Sequence, residues 1–199
     1  MYDWRRMSER ERQETLTWRK ASARPWHSPP HRANDVGDGY LLTAACYEHR
    51  SFIGKSAERL AAFERDLLET LEPICMAIQC WVVLPNHYHV LVRSADVFST
   101  LEALGRLHGR TAFAWNTEDQ TRGRHVWHSA AETAMKSERH WHATINYIHH
   151  NPVKHGHVLC WQDWPFSSAH AFLQQVGREE AEALWREYPI DQYGRGWDD

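Results

Sequence analysis

The order of elements in this sequence predicts an α+β fold, an antiparallel sheet with helices packed on one face. Three observations carry it. Apolar residues recur at helical spacing over 56–71 and again over 99–115, each run lying between strand-like stretches. The run Trp81-Val-Val-Leu84, the turn signal Pro85-Asn86 and the run His87–Val92 read as an antiparallel hairpin. A further strand candidate then precedes a third helical stretch. Strand-helix-strand-strand-helix-strand is the ferredoxin-like, RRM-like order. With 199 residues, 42% hydrophobic and 25% charged, the chain fits one globular domain with appendages.

Residues 1–39 read as an N-terminal extension. Ser8 and Glu11 form a capping box ahead of a helix over about 9–19, and Pro25, Pro29 and Pro30 forbid its continuation. Tyr40 to Tyr47 is the first strand. Ser56 caps the first main helix, which shows Leu60, Phe63, Leu67, Leu68 and Leu71 on one side and ends at Pro73. Residues 74–84 and 87–93 form the hairpin strands. The second helix, 99–115, is apolar along Leu101, Leu104, Leu107 and Phe113, with Arg106 and Arg110 on its polar side; these suit a solvated face or a phosphate contact. His125–His128 is the candidate fourth strand. The third helix runs from Ser137 to His150, where Asn151-Pro152 is expected to stop it. Short helices over 167–175 and 178–187 and a tail complete the chain.

Composition narrows the function classes. A net charge of −3 speaks mildly against non-specific nucleic-acid binding. No apolar run reaches the ~20 residues of a membrane span, and no apolar stretch follows the N-terminal Met-Tyr-Asp-Trp-Arg-Arg, so a cytoplasmic protein is expected. Cys46, Cys75, Cys80 and Cys160 form no C-x-x-C pair and suit reduced thiols. The 15 histidines leave room for metal chemistry.

His87 and His89 are two apart in a strand and so share a face, about 6–7 Å apart, where they can converge on a divalent metal. Tyr147 and Asn151 are four apart on the third helix and share a face too. Asn151 offers an amide oxygen that suits Mg²⁺ or Mn²⁺, and Tyr147 is a candidate nucleophile. Taken alone, the same spacings also fit solvent-facing histidines, a core tyrosine and an asparagine helix cap.

The runs Leu-Pro-Asn-His-Tyr-His-Val-Leu-Val (84–92) and Tyr-Ile-His-His-Asn-Pro-Val-Lys-His-Gly (147–156) resemble the single-tyrosine HUH transposases, above all the REP-associated tyrosine transposases of bacteria. The resemblance spans about Tyr40 to Ser168 and includes Arg-Ser-Phe-Ile-Gly (50–54) and Asp-Trp-Pro-Phe-Ser-Ser (163–168). It implies an HUH endonuclease fold over 40–175, with a C-terminal helix and tail over 176–199. It implies metal ligands at His87, His89 and Asn151, and a catalytic tyrosine at Tyr147. It further implies a single-stranded DNA endonuclease and strand transferase, acting on hairpin DNA through a 5′-phosphotyrosine with Mg²⁺ or Mn²⁺. Lys154, Arg93, Arg106 and Arg110 are the candidate DNA contacts. The protein is then expected to be a nucleoid-associated monomer or homodimer without a membrane partner. Two other classes compete: a non-catalytic nucleic-acid binder on the same sheet, and a metal-dependent hydrolase built on the His-x-His pair. The first strand lacks the aromatic pair of the RNA-binding modules, and no H-x-H-x-D-H pattern supports the second.

Overall fold

A computed structural model describes Ser8, Arg10, Glu14, Thr17 and residues 38–190. Most of the expected N-terminal helix and extension, and the tail from 191, lie outside the described residues.

The main body holds strands β1 (Gly39–Ala45), β2 (Ala77–Val83), β3 (His87–Arg93) and β4 (Ala131–Ala134). They form one antiparallel sheet in the order β2-β3-β1-β4, with β3 central. Helix α1 (Ala57–Leu71) crosses from β1 to β2, and α2 (Val97–Glu118) from β3 toward β4. This is the expected ferredoxin-like arrangement. Three further helices follow: α3 (Glu138–Lys154), α4 (Ala169–Val176) and α5 (Arg178–Glu187).

Alternation along β3 divides the interior in two. Tyr88, Val90 and Val92 join Leu42 and Ala44 in one core, closed by Phe63 and Leu67 of α1 and Leu104, Leu107 and Trp115 of α2. The crossover helices thus share a face. On the other face Leu41, Cys80, Val82 and Leu91 meet Ile145, Tyr147 and Ile148 of α3. His87 and His89 face this second layer.

Helix starts follow their caps. Ser56 Oγ accepts the Arg59 N–H at 3.2 Å, as expected. Helix α2 begins two residues earlier than the apolar pattern alone suggests. Asp96 Oδ1 accepts from the N–H groups of Phe98 and Ser99, satisfying donors that the helix itself leaves open.

Two expectations are corrected. His125–His128 is not the fourth strand: Trp127 makes only an isolated bridge to Cys46, and its buried ring joins the α1–α2 core. Ala131–Ala134 pairs with Tyr40–Thr43 instead. That segment carries no strong strand propensity, so the open edge of β1 chooses it. Nor does Asn151-Pro152 end the third helix. Helix α3 runs to Lys154, with the His155 N–H donating to the Asn151 carbonyl at 3.1 Å. Ile148, Asn151 and Pro152 are all buried, and that packing overrides the local preference of a residue before proline.

A charged knot ties the helical layer together. Asp119, just past α2, pairs with Arg59, Arg124 and Lys55. Arg59 above all, with Lys55 and Arg124, holds the Asp119 carboxyl well below the usual carboxylate range. Among the described residues no helix is long and apolar enough to cross a membrane.

Candidate functional site

The site lies where one end of β3 meets the last turns of α3. Strand register sets its first pair: Thr43 is opposite His89, so both side chains point to the same face, and Thr43 Oγ1 lies 2.8 Å from His89 Nδ1. The tight turn at 85–86 sets the second. Its carbonyls are pinned by the Gly54 N–H, which donates to Pro85 O, and by the Cys46 N–H, which donates to Asn86 O. A Cβ on Gly54 would stand 2.3 Å from Pro85 Cβ, so only glycine permits that approach.

The turn also fixes a proton. Asn86 Nδ2 donates to the His49 carbonyl at 3.2 Å, which leaves Asn86 Oδ1 to accept from His87 Nδ1–H at 2.8 Å. Glu48 and His49 adopt φ of 58° and 52°, a left-handed conformation rare for residues with a side chain, and this bend aims the His49 carbonyl at Asn86. In the tautomer with Nδ1 protonated, His87 turns Nε2 to the site. His87 Nε2 lies 3.0 Å from Asn151 Oδ1. Among the described residues, Asn151 Nδ2 is buried without a hydrogen-bond partner.

A 3.0 Å contact between His87 Nε2 and an amide oxygen needs a proton or a metal ion between them, or the amide turned over. The donor set suits a divalent metal: imidazole nitrogens from His87 and His89 and an amide oxygen from Asn151, with positions left for substrate oxygens. Among the described residues no three His, Cys, Asp or Glu side chains are placed to hold a metal. The amide is therefore what brings the set to three. Ring centroids of His87 and His89 are 5.1 Å apart and edge-on.

Tyr147 completes the group. Its hydroxyl is 3.5 Å from His89 Nε2, at the limit of a hydrogen bond, and Lys154 Nζ lies 5.3 Å from its ring centroid. His87, His89, Tyr147 and Asn151 are each 1% exposed or less. A phosphate reaches them only if part of the surround moves.

The structure thus brings His87, His89, Tyr147, Asn151 and Lys154 together. Arg93 shares the face of His87 but lies at the opposite end of β3, paired with Asp38 at 3.0 Å and set over Trp141. Arg106 and Arg110 are on α2, across the sheet from Tyr147, and Arg106 pairs with Glu102 at 2.6 Å. Sequence reasoning passed over Asn86 and Thr43, which orient the imidazoles, and His155, whose ring stands 5.0 Å from that of His87. Only His155 had a signal: it continues the Tyr147–Asn151 face by four more residues. His149, two residues past Tyr147, is buried. It bonds Ser168 Oγ at 2.9 Å, and burial pushes its imidazole down to about 3.

No family model matches the chain. It is 35% identical over 120 residues to the REP-associated tyrosine transposase of Escherichia coli strain K12, covering 59% of this chain and 62% of that protein. The chain therefore spans less than two thirds of that relative's length. Among solved structures it is similar to a REP-associated tyrosine transposase bound to a REP hairpin. The TM-score is 0.55 at 21% identity, over 82% of this chain and 90% of the other, a likeness of fold. A putative transposase from Deinococcus radiodurans matches with a TM-score of 0.38 at 16% identity, over 61% of this chain and 95% of that one. That is too weak to establish a shared fold.

Proposed function

We propose that this chain is a transposase-like, metal-dependent endonuclease and strand transferase for single-stranded hairpin DNA, with Tyr147 as nucleophile. The meeting of His87, His89 and Asn151 beside that tyrosine, with His87 Nε2 3.0 Å from Asn151 Oδ1, carries the reading. The similarity to the Escherichia coli transposase, and the REP hairpin bound by the structural relative, support it.

A divalent ion, Mg²⁺ or Mn²⁺, held by His87, His89 and Asn151 would polarise a phosphate oxygen. Asn86 and Thr43 hold the two imidazoles in register for it. The phenol oxygen of Tyr147 attacks the phosphorus, the bond from phosphorus to the 3′ oxygen breaks, and the 5′ phosphate becomes joined to Tyr147. The phenol proton ends on the departing 3′ oxygen, which leaves as a hydroxyl. Attack by a 3′ hydroxyl on the phosphotyrosine reverses the step. Lys154 sets a positive charge beside the phosphate. The catalytic unit is residues 40–175, with α5 docked on it through the Asn146 amide, which donates to the carbonyls of Leu184 and Tyr188. One nucleophilic tyrosine per chain makes the single cleavage a monomer's task, and exchange of two ends a homodimer's. Arg93, Arg106 and Arg110 lie too far off for the scissile phosphate and serve only flanking DNA.

Burial of Tyr147 favours one competing reading, a binder that keeps the outline of the site without its chemistry. The test is incubation with labelled single-stranded hairpins and Mn²⁺ or Mg²⁺, followed by denaturing electrophoresis. A covalent protein–DNA adduct, absent from Tyr147→Phe and His87→Ala, is the expected result. Binding without an adduct across a broad hairpin set would favour the binder.

A further inference from the structure

A second unexplained feature lies on the other side of α3. Where Tyr147 and Asn151 turn to the sheet, Asn146, His149 and His150 turn toward α4 and α5. There they border a cleft of about 510 Å³, within the range of small-molecule sites. Its walls are aromatic: Trp161, Phe172 and Trp185, with the amide of Gln162 beside them. Two guanidinium groups, Arg178 and Arg186, stand at its border. Among the described residues neither pairs with a carboxylate in a salt bridge, although Glu182 also lines the cleft. Arg186 Nε donates instead to the Glu182 carbonyl at 3.2 Å.

The frame around the cleft is fixed. His149 stacks on Trp161 with ring planes 15° apart and is held by Ser168. Trp185 leans on His150, with ring centroids 5.1 Å apart. Burial keeps His149 neutral, so the positive charge at this place comes from the two arginines, against the one carboxylate of Glu182. Flat apolar walls, an amide that both donates and accepts, and two cations at the rim suit a planar heterocycle that carries an anionic group.

We propose that this cleft is a nucleotide site, the base lying between the aromatic walls and the phosphate meeting Arg178 and Arg186. The ligand chemistry has two sources, a free nucleotide or an unpaired nucleotide of a DNA strand. The site lies beyond the Tyr147 centre and does not depend on cleavage.

The test is equilibrium calorimetry on the full chain, with two probes: the deoxynucleoside monophosphates and short single-stranded oligonucleotides without a hairpin. The variants are Arg178→Ala with Arg186→Ala, and Trp185→Leu. Loss of one base stack or of the paired cations is expected to weaken binding about tenfold or more. Binding of monophosphates assigns the cleft to free nucleotide, and binding of oligonucleotides alone assigns it to a strand. Equal affinity in all proteins, or no binding of either probe, overturns the proposal. Arg178 and Arg186 are exposed, so their replacement keeps the test valid if Trp185→Leu fails to fold. Failure of the adduct assay with binding retained here would sink the nuclease reading and spare this one.

Discussion

Tyr88 and Tyr147 are both fully buried, and each directs its hydroxyl at an imidazole Nε2, one on either side of the same sheet. Tyr88 meets His108 at 3.0 Å inside a ring of aromatic side chains, and His108 stacks on Trp127 with planes 13° apart. Nothing there is left over: the Trp127 Nε1–H donates to Thr111 Oγ1, which donates in turn to the Leu107 and His108 carbonyls. Tyr147 meets His89 at 3.5 Å, beside a second imidazole, a lysine and an amide whose nitrogen has no partner among the described residues. Burial and residue type do not separate a structural tyrosine from a candidate nucleophile. What separates them is whether the surrounding polar atoms satisfy one another.

The largest expected effect tests the satisfied side. Burial pushes His108 down to about 4 from an ordinary 6.5, so the folded state holds it neutral while the unfolded chain takes up a proton below 6.5. Its contribution is present in full above pH 6.5 and is lost as pH falls from 6.5 toward 4. The loss is about 3 kcal/mol at most. In His108→Gln, urea unfolding midpoints should fall less steeply across that interval; an unchanged slope would break the account.

Removing the same atom from each tyrosine sharpens the contrast. Tyr88→Phe strips a buried imidazole of its partner and should cost about 1–3 kcal/mol in chemical unfolding. Tyr147→Phe gives up the 3.5 Å contact to His89 and should cost less, under about 0.5 kcal/mol, and on the proposed reading it also removes the adduct. Equal costs would place both tyrosines in the structural class.

Next is the orientation of the imidazole. Asn86→Ala releases the His87 ring and should weaken Mn²⁺ binding about 10–100-fold by calorimetry, with the fold intact by circular dichroism. Unchanged Mn²⁺ affinity would remove the metal from the site. The smallest effect belongs to the far face of the sheet. Arg106→Ala with Arg110→Ala should leave adduct formation on a minimal hairpin unaltered and change stability by less than about 0.5 kcal/mol.

Much of this was legible in advance where a local rule had no competitor. The hairpin around Pro85-Asn86 and the bounds of β3 follow from alternation and a turn signal, and α1 from Ser56 and its apolar stripe. The rules failed where tertiary packing outweighed them. Pro152 is carried inside a helix because the residues around it are buried. The weakly strand-forming Ala131–Ala134 is recruited by the free edge of β1, in place of the more strand-like His125–His128. The two cations of α2 drew notice by charge alone, and charge says nothing about which face of a sheet a helix covers.

By itself, then, the sequence determined which side chains share a face, because the periods of strand and helix are fixed by backbone geometry: His87 with His89, Tyr147 with Asn151. It could not determine that the two pairs meet. That depended on α3 crossing the sheet opposite α1 and α2, and on a turn whose asparagine sets the tautomer of His87. Both rest on contacts between residues far apart in the chain, 64 positions in the case of His87 and Asn151, which no local pattern encodes.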